Sequence, residues 1–352
     1  MDVEYVDTII LLEDERPEDY LGVFANYGGE VTREFHLINA VAVRMPEDQL
    51  YKLEGYDFIR KVEMDGEVHA LKTETANAYA GFGSGQWDMD NINAPQAWEA
   101  GFTGKDVKVA VIDTGINYKH SDLAPNYKGG YDFVNDDDDP LDDNGHGTHC
   151  AGSIAANGKI KGVAYEADLY GVKVLNSWGS GSYSGVIAGI EWAVDNGMDI
   201  ASMSLGGSSG TDALLEACDA ARANGTIIVA AAGNSGGSVG YPAAYDSAIT
   251  VGAVDKRNKL ASFSSRGPEL DVVAPGVNVY STYKNGYKKL SGTSMATPHV
   301  AGFVALLKQQ DMSRGFDDIR TILHENSTDM GEPGFNEEYG YGLIDAIKAL
   351  GI

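Results

Sequence analysis

From residue 87 to the C-terminus, short uninterrupted apolar runs alternate with segments of helical periodicity, and this alternation constrains the fold more than any other feature. Strands that are apolar at every position are typical of parallel sheets buried on both faces. The predicted strands are Val107–Ile112, Leu169–Val174, Asp199–Leu205 and Thr226–Ala231, and the predicted helices are His149–Asn157, Ser184–Asn196, Thr211–Asn224 and Thr297–Gln309. The pattern predicts a three-layer α/β domain with a mostly parallel central sheet, whose site lies at the carboxyl ends of the strands.

The N-terminal part of the chain has a different pattern. The whole chain of 352 residues is long enough for about two domains. Residues 1–71 carry apolar stretches at Asp7–Leu12, Val31–Val43 and Phe58–Val62, with helix-like pieces between them, which predicts a small α+β unit. Residues 72–86 are rich in Ala, Gly, Ser and Thr and are predicted to be a linker, so that residues 87–352 form the α/β domain.

Composition excludes several classes of protein. The formal net charge is −26, so the chain lacks the clustered cations that nucleic acid or an anionic membrane surface requires. No run of 18 apolar residues is present, and two cysteines cannot form a disulfide framework, so free thiols are expected. The N-terminus has no basic region followed by an apolar run, which leaves open an intracellular location or a signal that has been removed.

Three residues in separate segments are candidates for catalysis. Asp113 ends a predicted strand, although a lone Asp there is more often a turn residue. His146 could act as a general base, whereas His149 is expected to be a packed core histidine. Without the Glu of a His-Glu-x-x-His motif the two histidines do not indicate a zinc peptidase. Ser294 precedes an apolar helix, where it could be a helix cap or a nucleophile.

Taken together, the motifs around these residues closely resemble those of the subtilisin-like serine peptidases. They are Val-Ala-Val-Ile-Asp113-Thr-Gly, Asn-Gly-His146-Gly-Thr-His and Gly-Thr-Ser294-Met-Ala-Thr-Pro-His, and the order Asp, His, Ser is that of subtilisin. The resemblance implies that Ser294 is the nucleophile, His146 its general base and Asp113 the group that orients the imidazole. It also implies that Asn234 is a donor to the oxyanion.

The resemblance also implies a substrate cleft with two strand edges that hold an extended peptide, and therefore protein or peptide substrates. The residues concerned are Gly179, Ser180, Gly181, Tyr183, Ser204, Leu205, Gly206 and Gly240. Gly206, Ala232, Gly233 and Gly240 would line the pocket for the residue before the scissile bond, and Tyr183 and Val186 a second pocket upstream. Because these residues are small and uncharged, we expect broad specificity for large apolar residues.

An aspartate-rich segment precedes His146. Residues 135–143 contain six Asp, but the spacing does not fit an EF-hand. The segment resembles calcium-binding members of the family, which implies structural Ca²⁺ at Asp132, Asp137 and Asp139, with a solvated acidic loop as the alternative. Asp271 matches a ligand of a second, weaker cation site.

The resemblance further implies that residues 1–71 are an inhibitory propeptide, cleaved by the enzyme itself between Leu71 and Lys72. Tyr241–Pro242 is expected to be cis. We expect a secreted monomer with no nucleic-acid or membrane partner. Two other classes of protein remain to be distinguished from it: a binding protein that has kept the fold without activity, and an acidic calcium buffer.

Overall fold

A computed structural model describes residues 3–71, 73–75 and 86–352. The N-terminal unit consists of β1 (Tyr5–Leu12), α1 (Tyr20–Asn26), β2 (Glu30–Phe35), β3 (Ala40–Pro46), the 3₁₀ helix Glu47–Gly55 and β4 (Ile59–Met64). Its four strands form an antiparallel sheet of order β2-β3-β1-β4. Alternate residues of β1 face a small core that includes Phe24, Leu53 and Phe58. The apolar stretch Val31–Val43 forms two strands, because a turn at residues 36–39 reverses the chain.

A second group of short elements follows the N-terminal unit and precedes the α/β domain. These are β5 (Glu67–Ala70), β6 (Glu74–Thr75), α2 (Trp87–Asn91) and α3 (Ala94–Glu99). β5 lies antiparallel between two strands of the α/β domain and so connects the two units.

The α/β domain is built on seven parallel strands, which are β7 (Lys108–Asp113), β8 (Tyr127–Asp132), β9 (Asp168–Lys173), β11 (Ile200–Met203), β13 (Ile227–Ala231), β14 (Ala248–Val254) and β15 (Val272–Pro275). Their order in the sheet is β15-β14-β13-β11-β7-β9-β8. The central strands are buried at every position, which is why they lack a two-residue alternation. The predicted α/β class and parallel sheet are confirmed.

Helices flank the sheet, with α4 packed on α7 and α5 packed on α6. The helices are α4 (His146–Ala155), α5 (Tyr183–Asp195), α6 (Asp212–Ala223), α7 (Thr293–Gln310), α8 (Phe316–Asn326) and α9 (Ala346–Leu350). The remaining strands are β10 (Ser180–Ser182), β12 (Leu205–Gly206), β16 (Val279–Tyr283) and β17 (Gly286–Ser291). Side chains of Ser182 and Thr211 cap α5 and α6 by accepting N–H groups of the first turn. α4 and α7 begin three and four residues earlier than predicted, so His146 and Ser294 are both in a first helical turn.

Candidate active site

The carboxyl end of β7 and the first turn of α4 bring Asp113 and His146 together. The Nδ1–H group of His146 donates to Asp113 Oδ1 over 2.7 Å, and the same oxygen accepts the backbone N–H of Thr114. Asp113 is fully buried. A side chain on Gly147 would meet the carbonyl oxygen of Gly115 at 2.2 Å, so glycine is needed for α4 to approach the end of β7 this closely. The contact fixes the imidazole with Nε2 available for proton transfer.

Electrostatics prepare His146 to accept a proton. Burial alone would lower the pKa of His146, but the negative charge and hydrogen bond of Asp113 outweigh it, and the pKa is raised. Nε2 is buried and has no hydrogen-bond partner among the described residues. The imidazole is therefore a base whose charged form Asp113 stabilises.

Ser294 is the second residue of α7 and is completely buried. Its Oγ donates to the carbonyl oxygen of Ser204 over 3.2 Å, and the Ser204 hydroxyl donates in turn to the carbonyl oxygen of Ser294 over 3.0 Å. That second bond is possible because Pro298, one helical turn later, has no N–H to donate to the Ser294 carbonyl. The resting structure thus holds the nucleophile against β11–β12, and Ser294 must turn toward His146 Nε2 to react.

Asn234 follows β13 and is oriented by the residue before the nucleophile. Its Oδ1 accepts both the N–H and the hydroxyl of Thr293, each over 2.8 Å. The amide nitrogen therefore faces Gly292, where an added Cβ would lie only 3.0 Å from it. The amide thus lies beside the start of α7, and its role as a donor to the oxyanion stays a prediction.

Two positioning residues, Asp142 and Lys173, were missed by the sequence interpretation. The Asp142 carboxylate accepts N–H groups of Gly145 and Thr148 and the hydroxyl of Thr114, so it joins the start of α4 to the end of β7. Lys173, 1% exposed, donates to the carbonyl oxygen of Thr114 and to Asp143. The sequence carried a signal for each residue. Asp142 is a carboxylate four residues before His146, where a helix start is expected, and Lys173 is a lysine in an otherwise apolar predicted strand.

The predicted substrate-binding residues are gathered around β5. Ser180 and Gly181 pair with His69 and Val68 on one side, and Leu205 and Gly206 pair with Ala70 and His69 on the other. The chain's own segment is thus held as the middle strand of a three-stranded antiparallel sheet. The carbonyl oxygen of Gly179 accepts the N–H of Ala70 over 2.7 Å, and the carbonyl oxygen of Ser204 accepts the N–H of Leu71 over 3.5 Å. Tyr183 lies upstream, with its ring against Gly66.

Leu71 lies at the predicted apolar pocket. A cavity of about 750 Å³ is lined by Leu71 together with Gly206, Gly233, Asn234 and Gly240. Ala232, predicted to line the pocket, is not among the lining residues; Ala231 is, and the Ala232 carbonyl oxygen accepts the N–H of Gly240. The neighbouring Tyr241–Pro242 bond is cis, as predicted. Lys72, the residue predicted to follow the scissile bond, lies outside the described residues.

The cysteines and the second histidine are structural. Both thiols are free and buried, as expected, and burial raises the pKa of each. Cys150 donates to the carbonyl oxygen of Ser294 over 3.4 Å, so it supports the nucleophile as a neutral thiol. Burial lowers the pKa of His149 to about 3, which keeps this core histidine neutral.

The three carboxylates predicted to bind Ca²⁺ are not gathered as a cage. Within the described ranges, the one set of three His, Cys or carboxylate ligand atoms lying within 4.8 Å of one another is that of Asp113, His146 and Cys150. Asp132 is buried and its carboxylate accepts two backbone N–H groups and the Asn135 amide. Asp139 accepts the hydroxyl of Tyr118. In this arrangement the residues do not fit a shared cation, and the calcium site stays a prediction.

The carboxylate of Asp271 is neutralised by the chain itself. Its Oδ1 accepts Arg320 Nε over 2.8 Å and His324 Nε2 over 2.7 Å, while Oδ2 accepts the N–H of Thr250. The Arg320 guanidinium thus supplies positive charge at the carboxylate where the second cation was expected.

The site as a whole is that of a serine hydrolase. An imidazole is held by a buried carboxylate, a buried serine lies in the first turn of a helix, an asparagine side chain is bonded to the residue before that serine, and a peptide strand of the chain lies in the cleft.

Comparison with known proteins extends this assignment. The model of the subtilase family matches residues 104–342. Subtilisin DY from Bacillus licheniformis is 50% identical over 267 residues, which are 73% of this chain and 96% of that protein. Subtilisin E from Bacillus subtilis is 42% identical over an alignment covering 99% of this chain and 89% of that protein. Alkaline elastase YaB from Bacillus sp. is 44% identical, with 91% of this chain and 82% of that protein covered.

Among solved structures, the chain resembles fervidolysin from Fervidobacterium pennivorans, described as a keratinolytic enzyme related to subtilisin. The TM-score is 0.88 at 28% identity, over 99% of this chain and 61% of that one. The chain therefore belongs to the subtilase family and is a serine endopeptidase. None of the helices in the described part of the chain is long and apolar enough to cross a membrane.

Proposed function

We propose that the chain is the precursor of an endopeptidase that cleaves itself after Leu71, and that residues 1–71 then inhibit it. The observation that carries this proposal is the position of β5. Residues 67–70 pair with both edges of the cleft, and Leu71 lines the pocket next to Asn234. The alignment with subtilisin E covers 99% of the chain and so includes the N-terminal unit.

In the proposed reaction, Ser294 Oγ attacks the carbonyl carbon of Leu71 and its proton passes to His146 Nε2. Asp113 stabilises the imidazolium, and the Asn234 amide donates to the oxyanion. When the bond between Leu71 and Lys72 breaks, His146 gives its proton to the leaving amine. Water then adds to the acyl-enzyme with His146 again as the base, which releases the Leu71 carboxylate and restores Ser294.

We further propose that the mature enzyme hydrolyses proteins with broad preference for large apolar residues before the scissile bond, as a secreted monomer. The pocket around Leu71 has glycine on several sides, and the one carboxylate among its described lining residues, that of Glu67, belongs to the N-terminal segment itself. The complete catalytic set favours catalysis over a binding protein that has kept the fold without activity.

The test is the Ser294→Ala variant of the full chain. It should remain a single 37.5 kDa species, whereas the wild type should divide and give a mature N-terminus at Lys72. Ser247→Ala, which replaces another buried serine, is the control and should process normally. Processing of the Ser294→Ala protein in isolation, or a mature N-terminus far from residue 72, would contradict the proposal.

A further inference from the structure

Beside His146 the cleft has a wall that the reaction does not use. Trp178 is 88% exposed, the highest exposure of any large apolar side chain in the described part of the protein. It borders a cavity of about 210 Å³ that also contacts His146, Tyr283 and Lys288. An exposed indole at the edge of an active site offers apolar area that a bound side chain can cover.

The turn that carries Trp178 is fixed. Asn176 Oδ1 accepts the N–H of Trp178 over 2.9 Å, and the carbonyl oxygen of Asn176 accepts the N–H of Gly179 over 2.8 Å. Gly179 has a φ of +75°, which the turn requires and which glycine adopts without strain. The Asn144 amide donates to the carbonyl oxygen of Ser177 and ties the turn to the loop before His146. The indole is therefore held at the rim of the cleft by an ordered turn.

The register of β5 identifies what faces this turn. The N–H of Ala70 donates to the carbonyl oxygen of Gly179, and a Cβ on Gly179 would lie 3.2 Å from the Ala70 Cβ. Ala70 and Trp178 line the same cavity. Because Leu71 precedes the proposed scissile bond, Ala70 marks the position one residue further upstream, and its methyl group leaves the aromatic wall uncovered.

Resting on the proposed function, we propose that Trp178 determines specificity at the substrate position occupied by Ala70, where it selects a large apolar or aromatic side chain. Trp178 and Tyr283 supply aromatic surface, and the cavity lining contains no carboxylate to attract a basic side chain. A phenyl ring there would cover the indole, and aromatic pairs gain beyond the area that they bury. The chain's own alanine forgoes this contact, so a substrate with an aromatic residue competes well against the cleaved N-terminal segment.

The experiment compares two internally quenched peptides that carry Leu before the scissile bond and either Ala or Phe at the position before it. For the processed wild type, kcat/KM should be about tenfold higher for the Phe peptide. In Trp178→Ala the ratio should fall below about threefold, while Trp178→Phe should keep most of it. Met312→Ala removes an exposed apolar side chain that does not line the cleft and should keep the wild-type ratio.

The possible failures are distinguishable. A Phe/Ala ratio in Trp178→Ala equal to that of the wild type would overturn the role of Trp178 while leaving the peptidase intact. No hydrolysis of either peptide by processed wild-type protein would overturn the proposed function itself.

Discussion

The two units of this chain are held together in different ways. The α/β domain has a continuous core in which the central strands and nearly all of α7 are buried. The N-terminal unit has a separate small core of eight buried apolar residues. A domain of about 60–70 residues buries a smaller fraction of its surface and is marginally stable alone. The smaller unit therefore depends more on its contacts with the larger one.

Those contacts are of two kinds: one face of the N-terminal sheet, which includes Ile9 and Leu11, is buried in the core cluster of the α/β domain, and a set of polar bonds is directed at helix ends. Both Glu63 carboxylate oxygens accept N–H groups from the first turn of α6, those of Asp212 and Ala213. Asp65 likewise accepts the N–H and hydroxyl of Ser184 in the first turn of α5. In the opposite direction, Glu191 of α5 accepts the N–H groups of His36 and Leu37.

The first turn of a helix has N–H groups without helical partners and a positive end of the dipole, so carboxylates bind well there. Each such bond can be exchanged for water, unlike buried apolar area. The comparison teaches that the candidate catalytic residues lie in a unit with its own continuous core, whereas the smaller unit is joined to it by a strand, one sheet face and a few carboxylate caps.

The largest effect that sharpens this contrast is expected for Asn234→Ala. Removing the amide takes away an oxyanion donor, and we expect kcat to fall about 10²–10³-fold, the magnitude known for loss of the corresponding donor in a subtilisin. KM should change little, because the oxyanion forms only beyond the ground state. Self-processing should slow by a similar factor, while contacts between the units remain.

Steady-state kinetics on a short peptide would measure this effect, with Asn224→Ala, on the surface of the same domain, as the control. A large rise in KM at unchanged kcat would refute the oxyanion role.

An intermediate effect is expected for Glu63→Ala. Loss of two charge-assisted bonds leaves the N–H groups of Asp212 and Ala213 without partners from the N-terminal unit. If the loss of these bonds costs about 1–3 kcal/mol, hydrogen exchange at the two amides should accelerate roughly 10–100-fold. Glu63→Ala and its control below are both made in the Ser294→Ala protein, so that the chain stays intact during the measurement.

Glu18→Ala, which removes an exposed carboxylate of the same N-terminal unit, should leave exchange unchanged. If Glu63→Ala did the same, the caps would not hold the units together.

How far the sequence could predict this molecule depended on how local each signal was. Asp113 and Ser294 each lie within a short unbroken sequence motif, so the candidate site could be predicted from the sequence. The apolar strands indicate burial directly, so the α/β fold class could be predicted as well. The edge strand Tyr127–Asp132 was missed because its glycines and charges carry no apolar run. The bond network of Asp142 and the caps of Glu63 were missed because each joins residues far apart in the chain.

The calcium prediction failed to find support for a related reason. A cluster of aspartates indicates charge, but whether their oxygens converge depends on the loop's own hydrogen bonds. Asp132 and Asp139 already accept bonds from within the protein. Net charge alone could not reveal that these carboxylates are satisfied.

The smallest effect is expected from Ca²⁺ at the aspartate loop. Because Asp132, Asp137 and Asp139 do not converge in the structure, Ca²⁺ binding must rearrange residues 133–139. The free-energy cost of that rearrangement weakens the binding. Calcium tolerates irregular oxygen coordination, and a ligand that binds only the folded state raises Tm with concentration. For Ser294→Ala protein, we expect a Tm gain of a few degrees with Ca²⁺ over chelator.

Asp137→Asn should lose most of that gain, whereas Asp138→Asn, which removes the same charge one residue away, should keep it. Equal loss in both variants would indicate relief of general repulsion, and an identical Tm with Ca²⁺ and chelator would leave the loop as solvated charge.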